Sequence, residues 1–307
     1  MPAIAPEPEF VLYAQHGWAD DGRAMRSLAQ TLATSEALII APSLGFIKTW
    51  LRIEPLIHAI EQLVITTTLQ YPELPIRIMG HSMGGLIWLE ILDRHPEWWS
   101  KVESIVLVGS PVGGADLARA LDPMKWGLGI ARDLGATRRL MAEAIAAQIP
   151  MLVIAGDVDD GSDGTVPISA TKVFGAEFVS IPRVTHAALK NHPAVADAIR
   201  QFWDVPKDRT CEPMEPDLSI LLIRRLQAID GMTDGHRRGF DQSSHFLTLD
   251  DGTTLRTWIN PWGIDHVFVA CPEGTCLYSG FVGWGHAREL QETLESLKSF
   301  ASKPLNN

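Results

Sequence analysis

Ile76-Arg77-Ile78-Met79-Gly80-His81-Ser82-Met83-Gly84-Gly85-Leu86-Ile87-Trp88 decides the fold class of this 307-residue chain. A short apolar run passes through Gly-x-Ser-x-Gly into Leu86–Leu92, a stretch that is apolar on nearly every face. A helix with that pattern is buried all round, as behind a central strand. The glycines have a steric reason. A Ser at the tip of so sharp a strand-to-helix turn takes a strained backbone conformation, and side chains two residues to either side would collide with strand and helix. The product of such a turn is a serine hydroxyl held out at a helix N-terminus.

Outward from this turn, short Val/Ile-rich runs alternate with stretches of helical period from Phe10 to about Trp203. Strands are predicted near residues 10–14, 37–41, 76–79, 104–108, 151–155 and 177–181, and helices near 21–33, 53–70, 84–94 and 193–203. Alternation of this kind predicts an α/β fold, a doubly wound and mostly parallel sheet covered by helices on both faces. Residues 113–149 break the rhythm and predict a helical cap inserted in a shortened core. Three prolines among charges near residues 204–217 mark a boundary, which divides the chain into a first domain at 1–206 and a C-terminal domain at 207–307. After it come a predicted helix at 217–229, four strands near 245–249, 254–258, 266–270 and 275–279, and a closing helix at 287–300. Asp250-Asp251-Gly252-Thr253 is a hairpin turn signal between the first two of those strands. This second region is a small α+β unit.

Composition narrows the function classes. The chain carries 26 Lys and Arg against 37 Asp and Glu, a net charge of -11, and neither region is net basic. Nucleic acid is therefore not an expected partner, since phosphate binding needs a cationic face. No apolar run approaches the ~18 residues that span a bilayer, so stable membrane insertion is not expected. Three cysteines and a start without a basic, apolar leader imply a reducing, cytoplasmic setting. Cys271 and Cys276 bracket what reads as a hairpin turn, and no ordered metal-ligand spacing surrounds them or the four carboxylates of 157–163. Neither a metal nor a cofactor is expected.

Over about residues 10–203 the sequence resembles the α/β-hydrolase family, of serine esterase and lipase type. The resemblance rests on the Gly80-His81-Ser82-Met83-Gly84 turn, on His16-Gly17-Trp18 after the first strand, and on a chain order of Ser, acid, His. It implies Ser82 as nucleophile, His186 in the loop after the last strand as base, and the backbone N–H groups of Trp18 and Met83 as the oxyanion hole. For the acid it implies Asp163, in Asp163-Gly164-Thr165-Val166-Pro167, with Asp159 and Asp157 as alternatives in the same loop. His81 is expected to point away from the chemistry and His192 to belong to a helix cap.

What the resemblance implies is an enzyme that hydrolyses carboxylic esters, with a small-molecule acyl ester as partner. A thioesterase or acyltransferase would use the same groups, and a binding protein that kept the fold without catalysis is the third alternative. The apolar cap residues Leu121, Met124, Trp126 and Leu128 are the expected acyl-binding side chains, with the loop from Pro42 to Ile47 nearby. The C-terminal domain carries no recognisable constellation, which leaves an unknown partner as its expected ligand.

Overall fold

The computed structural model describes residues 8–33, 37–45, 48–50, 52–114, 129–205 and 215–301. It divides into two compact units, Met1–Pro213 and Met214–Asn307.

The first unit runs β1 (Phe10–Gln15), α1 (Gly22–Leu32), β2 (Ala37–Ile40), α2 (Glu54–Gln70), β3 (Ile76–His81), α3 (Met83–Arg94), β4 (Val102–Val108), α4 (Ile130–Gly135), α5 (Arg139–Ala146), β5 (Met151–Asp157), α6 (Ile168–Thr171), β6 (Glu177–Pro182) and α7 (Pro193–Asp204). Its strands form one parallel sheet in the order β2-β1-β3-β4-β5-β6. Successive side chains of a strand leave on opposite faces, and here both faces are apolar. Tyr13, Ile78, Leu107 and Val153 pack into one core layer with α2, α3 and α5. Their neighbours Leu12, Met79, Val106 and Ile154 pack into the other with α1 and α7. Trp88 of α3 is buried against Tyr13, ring centroids 4.9 Å apart, and truncating so large a core side chain to Ala costs about 3–5 kcal/mol.

Local chemistry sets the helix ends. Asp21 caps α1 by accepting from the Arg23 N–H. His192 caps α7, accepting from Ala194 N–H ahead of Pro193 at the first helical position. The chain lays β2 on one side of β1 and β3 on the other, so the loops after β1 and β3 turn to opposite faces of the sheet. Such a switch point opens a crevice at the carboxyl ends of the strands. At the far edge, β6 pairs with β5 alone and exposes Glu177, Phe178 and Pro182.

Of the expected cap at about 113–149, residues 115–128 lie outside the described residues. The part that follows them serves the core: Ala142, Ile145 and Ala146 of α5 are buried in the layer that contains the elbow helix.

The second unit runs α8 (Leu218–Gln227), β7 (Met232–Asp234), β8 (Ser244–Thr248), β9 (Thr254–Ile259), β10 (Asp265–Ala270), β11 (Cys276–Val282) and α9 (Ala287–Ala301). Its antiparallel sheet has the order β7-β11-β10-β9-β8. Leu222 and Leu226 of α8 and Leu290, Leu294 and Leu297 of α9 cover one sheet face, over Leu255, Val267 and Val269. The expected hairpin is present, with Leu249 N–H donating to Thr253 O at 2.8 Å and Gly252 at φ 84°. The three-residue β7 carries too little pattern to be seen in sequence. Among the described residues no helix is long and apolar enough to cross a membrane.

Candidate active site

Ser82 stands between β3 and α3 at φ 53°, ψ -123°, a region that side chains rarely occupy and that costs on the order of 1–3 kcal/mol. Its N–H is held by the carbonyl of Val108 at 2.8 Å. A Ser at a helix N-cap ordinarily spends its hydroxyl on the first turn, yet Ser82 makes no side-chain cap bond. The elbow glycines explain themselves in contacts. A Cβ on Gly80 would lie 2.4 Å from Gly85 N, and one on Gly84 would lie 2.4 Å from the carbonyl oxygen of Gln15. The helix therefore crosses its own strand and β1 at backbone distance.

The loop after β1 lies against the nucleophile turn, since a Cβ on Gly17 would sit 2.8 Å from Ser82 Cβ and 3.4 Å from Met83 N. His16, wholly buried, shapes this loop. Its Nδ1–H donates to Gly17 O at 2.9 Å and its Nε2 accepts from Leu44 N–H at 2.9 Å, a neutral tautomer consistent with burial pushing its pKa down. Ala19 takes φ 51° and donates its N–H to Thr49 Oγ1 at 3.1 Å. The backbone N–H groups of Trp18 and Met83 donate to no group among the described residues. Neither N–H therefore meets a competing acceptor among those residues, and the loop that carries Trp18 lies beside the Ser82 turn.

Asp163 and His186 come together. The imidazole Nδ1–H donates to Asp163 Oδ2 at 2.6 Å, and the His186 N–H donates to the Asp163 carbonyl at 2.9 Å. Asp163 is buried, and its Oδ1 accepts from the N–H groups of Thr165 (2.9 Å) and Val166 (2.7 Å). The other carboxylates of the loop shape its turns: Asp157 Oδ1 accepts from Gly161 N–H at 2.9 Å, and Asp159 Oδ1 from Ser162 N–H and Oγ–H. His186 lies at the serine's end of the sheet. A Cβ on Gly109, next to the Val108 that holds Ser82, would be 3.2 Å from its ring. No hydrogen bond joins the Ser82 hydroxyl to His186 here; contacts between nucleophile and base commonly tighten only around substrate.

His81 departs from expectation. Its ring stacks obliquely on that of His186, and its Nε2–H donates to the His186 carbonyl at 3.0 Å. Strand alternation sends residue 81 to the face opposite its neighbour, and in this sheet the loop after β6 folds back onto that face. Leu121, Met124, Trp126 and Leu128 lie outside the described residues, as do Phe46 and Ile47. An aromatic pair that sequence reasoning overlooked borders the loop after β1: Trp18 and Trp50 meet edge to face at 4.3 Å, with Trp50 half exposed. The only sequence signal for it was an isolated Trp following the second strand.

Residues 6–139 match the sequence family described as serine aminopeptidase, S33. No curated protein sequence matches the chain. Among solved structures it is similar to the mature form of lipase BlEst2 from Bacillus licheniformis, at 15% identity and a TM-score of 0.47 over 66% of this chain and 93% of that one. It is also similar to Est1E from Butyrivibrio proteoclasticus with ferulic acid bound, at 17% identity and a TM-score of 0.48 over 66% and 91%. The RedJ thioesterase of the prodiginine pathway in Streptomyces coelicolor aligns at 16% identity and a TM-score of 0.43 over 66% and 95%. By its sheet order and its strand-to-helix elbow, the first unit of this chain has the α/β-hydrolase fold, and the family match covers its residues 6–139.

Proposed function

We propose that this chain is a serine hydrolase that cleaves carboxylic esters through an acyl-enzyme on Ser82. The observation that carries the reading is the 2.6 Å bond between His186 and the buried Asp163 at the sheet end where Ser82 is held strained and uncapped. In this reading Ser82 Oγ attacks the ester carbonyl carbon while His186 Nε2 takes the hydroxyl proton. Asp163 holds the imidazole in one tautomer and balances the imidazolium. The Trp18 and Met83 N–H groups receive the oxyanion, a contribution of about 3 kcal/mol each in comparable sites. The alcohol leaves with the proton from His186, and water repeats the sequence on the acyl-enzyme to release the acid.

The apolar composition of 121–128 is the sequence ground for expecting medium or long acyl groups over acetyl, and the Trp18–Trp50 pair beside the loop after β1 supports it. Nitrophenyl esters of two to eight carbons test this, and a rate that falls steadily with chain length would remove it. The family description makes peptide amides, which expel an amine in place of an alcohol, a second substrate class to assay, with aminoacyl nitroanilides. Thioester cleavage and acyl transfer use the same groups and are separated by product analysis with alcohol acceptors.

The test of the mechanism is labelling with a fluorophosphonate followed by peptide mapping, with Ser82→Ala as control. A single adduct on Ser82 is the expected result. A folded wild-type sample that takes up no label, and turns over no ester, would leave the fold without this chemistry.

A further inference from the structure

Asp20 and Lys190 lie 170 residues apart and form an ion pair with a direct hydrogen bond. Asp20 stands two residues after Trp18 and next to Ala19, the left-handed residue of that loop. Lys190 stands four residues after His186, in a segment wound as a single turn by the bonds of Ala188 and Leu189 N–H to Thr185 O and of Asn191 N–H to Ala188 O. One partner thus belongs to the loop that presents the Trp18 N–H, the other to the loop that carries the imidazole.

These loops hang from β1 and β6, strands kept apart in the sheet by β3, β4 and β5. Among the described residues no backbone hydrogen bond joins them. Both side chains are about four-fifths withdrawn from solvent, so the pair is screened far less than an ion pair on the open surface. Burial is the largest single influence on Asp20 and opposes its charge, but the hydrogen bond to Lys190, a backbone hydrogen bond from Asp21 and the positive charge of Lys190 together hold the carboxyl below its ordinary range.

We propose that Asp20 and Lys190 are positioning residues that fix the oxyanion loop to the base loop across the Ser82 turn. The proposal rests on the serine-hydrolase reading above, and it adds a dependence that the reading alone does not contain. In the transition state the N–H of Trp18 and the Nε2 of His186 must be correctly placed on opposite sides of one carbon. A misplacement of about 1 Å can cost on the order of a hundredfold in rate. An ordinary structural ion pair would affect melting and leave the chemistry of the surviving folded enzyme unchanged.

The experiment compares wild type with Lys190→Met, Asp20→Asn, the double variant and Lys190→Arg. It reads kcat and KM for a nitrophenyl ester, the melting temperature, and amide hydrogen exchange of a peptide spanning residues 15–21. In each single variant kcat should fall about tenfold or more, with KM within about twofold. The double variant should be no worse than either single one, and Lys190→Arg should recover most of the rate. Exchange at 15–21 should rise in Lys190→Met although the substitution lies in another loop. A Lys190→Met enzyme with kcat within twofold of wild type and unchanged exchange at 15–21 would overturn the proposal. Should Lys190→Met fail to fold, Asp20→Glu, which keeps the charge and shifts its position, is read on the same quantities. If wild type itself neither labels nor turns over ester, the hydrolase reading fails, while the exchange at 15–21 still decides whether the two loops are coupled.

Discussion

The imidazole of His81 packs against that of His186, ring centroids 4.8 Å apart, and its Nε2–H donates to the His186 carbonyl at 3.0 Å. A carbonyl only accepts, so the proton sits on Nε2 and the buried Nδ1 is left bare, without a partner. Burial first, and the neighbouring His186 second, push the His81 pKa down to about 3. The His81 ring beside His186 is therefore neutral at neutral pH.

That neutrality has a stability cost in acid. Between the ordinary histidine value of 6.5 and the folded value of about 3, the unfolded chain binds a proton at residue 81 that the folded chain does not. The contribution is therefore fully present above pH 6.5 and is lost as pH falls toward 3. His16, whose pKa is also lowered by burial, acts in the same direction. His81→Gln keeps an N–H donor and removes the titration, so urea melts of that variant between pH 4 and 6.5 should show a flatter slope than wild type. An identical slope would assign the acid sensitivity elsewhere.

Ser82 stores backbone strain that glycine would not feel. Ser82→Gly should abolish ester turnover and raise stability by about 0.5–1 kcal/mol, an increase in melting temperature of about 1–4 °C for a unit of this size. Ser82→Ala should abolish turnover with little change in melting. Retention of most activity in either variant would refute the nucleophile assignment.

Single Asn replacements separate the three carboxylates. Asp163→Asn should lower kcat by about 10⁴-fold, because the amide presents the wrong group to Nδ1–H. Asp157→Asn and Asp159→Asn should keep activity within about tenfold and act mainly on stability, since each carboxylate serves a turn. A crippled Asp159→Asn beside an active Asp163→Asn would reverse the assignment.

Gly17→Ala tests the contact between the loop after β1 and the elbow. The new methyl would fall 2.8 Å from Ser82 Cβ and 3.0 Å from the His81 carbonyl oxygen, so one of the two segments must move. A loss of about a hundredfold or more in kcat is expected, read alongside circular dichroism to establish that the variant is folded. Near-wild-type kcat would mean that the loop yields without affecting the serine.

The first unit was legible in sequence because its strands from β1 to β5 carry nearly continuous apolar runs and the elbow needs its glycines for local steric reasons. The strands expected at 151–155 and 177–181 are β5 and β6, while the partnership of Asp163 with His186 was implied by the family resemblance, which left Asp157 and Asp159 open. Besides the Trp18–Trp50 pair, two features were not legible. Alternation sets the face of His81, but what it meets there depends on where the loop after β6 folds back, which is a tertiary fact with no local signal. The pairing of Asp20 with Lys190 joins two ordinary surface-type residues across 170 positions, and neither stands in a motif. In the second unit the three-residue β7 is held by its partner β11 and has no pattern of its own.

The edge position of β6 gives the molecule unequal thermal tolerances. The segment that carries His186 leaves a strand with one neighbour and largely exposed side chains, whereas Ser82 leaves a central strand paired on both sides. Local opening is least costly where backbone pairing is one-sided and little apolar surface is sealed. Heating should consequently silence this enzyme by fraying at the rim while its interior remains assembled, and brief warming followed by cooling should return activity without any need to refold the whole chain.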